Sequence, residues 1–184
     1  MAEQNHKGSS RKSGRRAYLK YITLTPNGYE YTGPVCRCQN PPGERKRLLW
    51  QQGCCCAVMV VMAVAAGCLP APGTANCFYV LLPYLWALSA VVLTCLAFGQ
   101  LAVGGEPMRR YVYDRSLPKL PVRLGFTVAG AALTLAGETF YLLTAADDGK
   151  FWAAALFMAC QGGILTAALA MRRLCERMRY KVED

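Results

Sequence analysis

Histidine is all but missing from this chain: His6 is the only one in 184 residues. It sits in a polar stretch of Ser, Gly, Lys and Arg, so no Ser-His-Asp arrangement of the ordinary kind can be built around it. Acidic residues are also scarce, 11 against 21 Lys and Arg. The Asp147-Asp148 pair belongs to a short polar segment where hydration or a turn accounts for it. No GxGxxG, phosphate-loop or HExxH pattern occurs. The reading is therefore non-enzymatic: no catalytic residue is assigned and no cofactor is implied. Cys36 and Cys38 form a CxC pair with no second ligand pair nearby, whereas a structural zinc site normally needs four ligands. No metal site is expected.

Charge is nearly absent from four long stretches, Leu48–Leu69, Cys77–Val103, Leu124–Ala146 and Phe151–Met171, with Glu138 the exception. A bilayer core about 30 Å thick needs roughly 20 apolar residues at about 1.5 Å rise each, and every run is long enough. The sequence thus predicts an all-α integral membrane protein, a bundle of four transmembrane helices arranged as two antiparallel hairpins. No cleavable signal peptide is read, because 47 residues precede the first run.

Positive charge falls on one side of this pattern. Ten Lys and Arg precede the first run, five lie between the second and third, and five follow the fourth. Only Lys150 falls elsewhere. Basic residues near span ends stay on the cytoplasmic side, so both termini and the middle loop are expected there. The cations then orient the chain and touch anionic lipid headgroups, at about 1 kcal/mol each near the surface. That explains the net charge of +10 better than nucleic-acid binding, which is not expected. Tight loops and small size suggest a bacterial inner membrane.

The region 1–47 reads as a cytoplasmic module, with residues 1–16 a disordered basic tail. Tyr18–Leu24 and Tyr29–Thr32 are rich in aromatic and β-branched residues around Thr25-Pro26-Asn27-Gly28, which predicts a β-hairpin at about 17–35. Cys36–Gly43 reads as a stiff irregular linker, and 172–184 as a basic C-terminal tail. Pro70–Asn76 and Asp147–Lys150 read as tight outer connections.

In lipid, small residues that let backbones approach replace the hydrophobic effect as the cause of helix association. Ala155, Ala159, Gly163 and Ala167 recur every four residues, predicting a packing seam between spans three and four. Gly125 with Ala129 and Ala132 with Ala136 on span three, and Ala63 with Gly67 on span one, are further small pairs. Pro83 removes the donor for the Tyr79 carbonyl and predicts a kink in span two.

Glu138 is the residue of first interest, since a central acid costs roughly 2.5–3.5 kcal/mol on insertion and usually faces the bundle interior or a water path. It lies eight residues below Ala146, and Gln161 ten below Phe151, depths of about 12 and 15 Å. Adjacent antiparallel helices would pair them, with Tyr141 one turn away, as an intramembrane polar cluster. In one reading Glu138 is uncharged glue across the seam; in the other it titrates and carries a proton or cation. Cys68 and Cys77 flank the first outer loop, where an oxidising exterior permits a disulfide; two small apolar residues near helix ends is the alternative. Cys54-Cys55-Cys56 and Cys175, near the cytoplasmic boundary, suit S-acylation in a eukaryote and packing in a bacterium. The expectation is a small interaction or assembly protein that binds itself or a partner membrane protein. The alternative is a small oligomeric transporter or channel with Glu138 as its coupling acid.

Overall fold

Within hydrocarbon, every backbone N–H and C=O must be satisfied internally, and each apolar run accordingly folds as a helix. The computed structural model describes residues 22–25, 28–31, 33–104, 108–109, 112–113, 116–144 and 151–183. His6, the predicted tail 1–16 and the second outer connection Asp147–Lys150 lie outside them. The four long helices are α1 (Pro42–Cys68), α3 (Phe78–Val103), α4 (Leu120–Thr144) and α5 (Phe151–Arg177), with a short helix α2 (Pro72–Asn76) after α1. All four are long and apolar enough to cross a bilayer. Their outward faces carry exposed Val61, Leu82, Leu96, Leu143 and Leu156, side chains that lipid tolerates and water does not. This is a multi-pass membrane protein built as an up-down-up-down bundle. Around it α1 packs mainly on α5, α5 on α4 and α4 on α3, while α1 and α3 touch less.

The seams follow a seven-residue repeat. The buried positions in the repeat are Leu120, Leu124, Thr127, Ala131, Thr134, Glu138 and Tyr141 on α4, and Ala154, Phe157, Gln161, Ile164, Ala168, Met171 and Cys175 on α5, with Gly130 and Ala167 buried beside them. Alternating steps of three and four drift only about 20° per heptad, which a left-handed supercoil absorbs. A strict spacing of four advances about 40° per step, so the stripe Ala155–Ala159–Gly163–Ala167 sweeps about 120° and leaves the seam. Ala159 is exposed, Ala155 and Gly163 are half-buried, and only Ala167 is buried. A Cβ on Gly163 would lie 3.3 Å from Met62 Cγ, on α1 and not on α4. Within one chain the stripe therefore does not form the expected α4–α5 seam. The span-three pairs fare similarly, since Ala129, Ala132 and Ala136 are exposed and nothing lies within 4 Å of a Cβ on Gly125, whereas on α1 Ala63 is buried and a Cβ on Gly67 would meet the Tyr84 hydroxyl on α3.

Close approach occurs instead between α3 and α4. A Cβ on Gly130 would lie 3.0 Å from the Ala87 Cα and N, and one on Gly137 would lie 3.3 Å from Val80 Cγ2. The two contacts are seven residues apart on each helix, as an antiparallel pair in constant register requires. Helix α3 continues through Pro83. The Tyr79 carbonyl, which Pro83 cannot supply with a donor, faces Gly137 at 3.1 Å from where a Cβ would stand.

One end of the bundle carries β-structure. Strands β1 (Ile22–Thr25) and β2 (Gly28–Tyr31) pair antiparallel as the expected hairpin, with Thr25 opposite Gly28. The linker and C-terminal tail read from sequence are both replaced by ordered structure. Val35–Cys38 is strand β3, the centre of a three-stranded antiparallel sheet between β4 (Met108–Arg109) and β5 (Tyr180–Glu183). α1 starts early because Pro42 stands in its first turn, where a missing N–H costs nothing. Asn40 ties the ends together: its Nδ2 donates to the Arg177 carbonyl at 3.3 Å, and its Oδ1 accepts from the Arg179 amide at 3.0 Å. Cys36, Leu48, Leu101, Met108 and Met178 form the apolar layer joining the sheet to the helices.

Candidate functional site

At the end opposite the sheet, the first connection is not an external turn. Ala71, Pro72 and Gly73 are buried, and α2 packs on α3, α4 and α5 as a roof across the bundle mouth. Pro72 in its first turn starts the helix, and the Thr74 hydroxyl donates to the Ala71 carbonyl at 2.8 Å. The Cys77 amide donates to the Gly73 carbonyl at 2.9 Å and ends it. Cys68 and Cys77, either side of this roof, are free thiols, Cys68 exposed and Cys77 half-buried. The disulfide that the sequence permits is not present, which leaves the reading of two small apolar residues near helix ends.

Beneath the roof lies Glu138, wholly buried. A Cβ on Gly73 would fall on its carboxyl, 2.8 Å from Cδ and 3.2 Å from Oε1. A side chain at Gly73 would force the buried carboxyl of Glu138 to shift. The Gly73 amide faces the carboxyl, yet neither oxygen reaches hydrogen-bonding geometry with any group. Tyr141, one turn on, is buried and its hydroxyl accepts from Asn76 Nδ2 of α2 at 3.3 Å. Gln161 is also wholly buried, and neither its Oε1 nor its Nε2 has a partner. The structure thus turns all three sequence-chosen residues into the core, but the predicted Glu138–Gln161 hydrogen bond is not made. Tyr141 binds the roof instead.

The buried threonines of α3 and α4 show the contrast. Thr94, Thr127 and Thr134 donate to their own i−4 carbonyls at 2.8, 3.1 and 2.8 Å, so a hydroxyl in a seam satisfies itself. Glu138 and Gln161 do not, and such groups cost several kcal/mol each in an apolar setting. Sequence reasoning missed Gly73 altogether, because Pro70–Asn76 reads as turn chemistry and nothing local signals that it folds inward. It also missed Gln52, wholly buried on α1; the seven-residue repeat would have placed it in the core. Of the cysteines read as acylation sites, Cys54 is exposed and Cys55 half-buried, but Cys56 and Cys175 are buried and closed to such chemistry. Comparison with protein-family models, curated proteins and solved structures finds no match to this chain.

Proposed function

We propose that this protein is a non-enzymatic interaction or assembly protein of a bacterial inner membrane, with its sheet end and both termini in the cytoplasm. One observation carries the reading: three separated chain segments close into a sheet at the basic end of the bundle, and β5 forms its edge. An edge strand has one side open to pairing with a further strand, from a partner membrane protein or a second copy. Every described Lys and Arg lies in that sheet or within two turns of a helix end beside it, which agrees with cytoplasmic placement and contact with anionic headgroups. The β1–β2 hairpin, a sheet of its own, is marginal in isolation and offers a second docking element.

A photocrosslinker at Lys181 or Thr23 in intact cells tests this, with Leu143 on the lipid face as control. Specific adducts from the first two positions, absent from the Leu143 control, support it. Adducts no different from the Leu143 control in a normally inserted chain overturn it.

A second reading rests on the unpartnered Glu138 and Gln161: an oligomeric carrier in which Glu138 accepts a proton or cation. Four spans are few for a complete path, so assembly is required. Flux into dye-loaded vesicles that Glu138→Gln abolishes supports this reading, and no flux from correctly assembled protein excludes it.

A further inference from the structure

On the outer side of the α3–α4 seam, small residues leave a hollow. Ser89 and the buried Ala90 stand between the bulky Trp86 and Leu93 on one face of α3. With Arg123 and Phe126 of α4 they line a cavity of about 100 Å³. Trp86, Leu93 and Phe126 are each between 43% and 50% exposed, so the hollow opens toward lipid.

Its two ends differ in chemistry. At the deep end the Trp86 and Phe126 rings meet with centroids 6.2 Å apart. Two turns nearer the sheet, Arg123 in the first turn of α4 reaches across the seam, and its Nη1 donates to the Leu93 carbonyl at 2.8 Å. That bond uses one of the five N–H groups of a guanidinium. The single acid on α3 or α4 is Glu138, fifteen residues from Arg123 and about 22 Å along the helix. Exposed Lys119, one turn before Arg123, adds a second cation at the same end.

We propose that this groove binds one anionic glycerophospholipid from the leaflet on the sheet side, its phosphate on Arg123 and Lys119 and one acyl chain in the hollow over Ala90. A guanidinium at the edge of the hydrocarbon is costly without a counter-ion, and its planar fork matches phosphate oxygens. Basic pockets between transmembrane helices at headgroup level hold acidic lipids for that reason. The aromatic pair gives the chain an apolar end wall, and Ala90, lacking a long side chain, gives it room. This deepens the headgroup contact proposed above and rests on it.

The test uses the full-length chain with Trp50→Phe and Trp152→Phe, both at exposed positions, so that Trp86 is the sole tryptophan and reports on the groove. In phosphatidylcholine nanodiscs, quenching of Trp86 is compared between phosphatidylglycerol and phosphatidylcholine with brominated acyl chains at equal mole fraction. The expected result is a preference for the phosphatidylglycerol of about fivefold or more, the effect of one cation on an anionic lipid. Arg123→Gln lowers that preference about fivefold, while Arg173→Gln, exposed on α5, leaves it unchanged. Ser89→Leu fills the hollow with both cations in place, and the preference falls with it. The Ser89 hydroxyl donates to the Leu85 carbonyl of its own helix at 2.8 Å, so this change removes no contact between helices.

Equal quenching by the two lipids overturns the proposal. So does a preference indifferent to Arg123→Gln, or one kept in full by Ser89→Leu, since either reduces the effect to diffuse surface charge. Shielding of Trp86 from both brominated lipids also overturns it and puts a second protein chain on this face. Crosslinks from Lys181 that persist beside any of these results leave the sheet-end reading standing, so the two readings fail separately.

Discussion

The α-carbon of Gly73 stands where any side chain would strike the carboxyl of Glu138: an added Cβ would lie 2.8 Å from its Cδ. The pair joins the first connection to the middle of α4 and closes the bundle mouth. Gly73→Ala is expected to destabilise the protein by about 1–3 kcal/mol through overpacking. In a Glu138→Ala background the same change costs about 1 kcal/mol less, because the obstructing carboxyl is gone. Reversible unfolding in mixed micelles measures both, and additive effects would mean that the two residues do not touch.

Gly130 gives a second, independent contact. Its added methyl would meet the Ala87 backbone at 3.0 Å, so Gly130→Ala pushes α3 and α4 apart at a cost of about 1–3 kcal/mol. At Gly162 nothing lies within 4 Å of an added Cβ. There, alanine is expected to raise stability by about 0.5–1 kcal/mol through helix propensity. Equal responses at the two sites, read by the same unfolding assay, would contradict the α3–α4 register.

The seven-residue seam separates two alanines of α5. Ala168 is wholly buried and Ala159 is exposed. Ala168→Leu is expected to lower the unfolding midpoint sharply, while Ala159→Leu changes stability by no more than about 0.5 kcal/mol. The reverse order would restore the spacing-of-four stripe as the packing face.

At the other end, Asn40 holds the exit of α5 through the Arg177 carbonyl and the Arg179 amide. Asn40→Ala should cost about 1–2 kcal/mol and speed hydrogen exchange at Tyr180–Val182 without altering the helices. Unchanged exchange in β5 would show that the sheet does not depend on this side chain.

Much of the architecture was legible because hydrocarbon leaves so few options: the four runs, their order and the hairpin around Pro26-Asn27 follow from length, charge and turn chemistry. Glu138, Gln161 and Tyr141 were also recognisable as core-facing, since lipid would not accept them. The register of packing was harder to see. Small residues at spacing four resemble a face until the 40° advance per step is summed over three steps, whereas the true seam mixes Leu, Thr, Ala, Gln and Met and so has no compositional signature. The central strand β3 hid in a segment that reads as linker, because its pairing partners lie at Met108 and Tyr180, far along the chain. The inward fold of Pro70–Asn76 depends on a glycine meeting a carboxyl 65 residues away, which no local pattern encodes.

Hydrogen–deuterium exchange over Ala71–Cys77 in lipid nanodiscs addresses the roof over Glu138 most directly. If α2 closes the bundle, the Ala75 and Cys77 amides, which donate to the Ala71 and Gly73 carbonyls, exchange nearly as slowly as those at the start of α3, and Gly73→Ala accelerates them. Exchange at the rate of an open loop in the wild-type protein, unaltered by that substitution, would contradict the account.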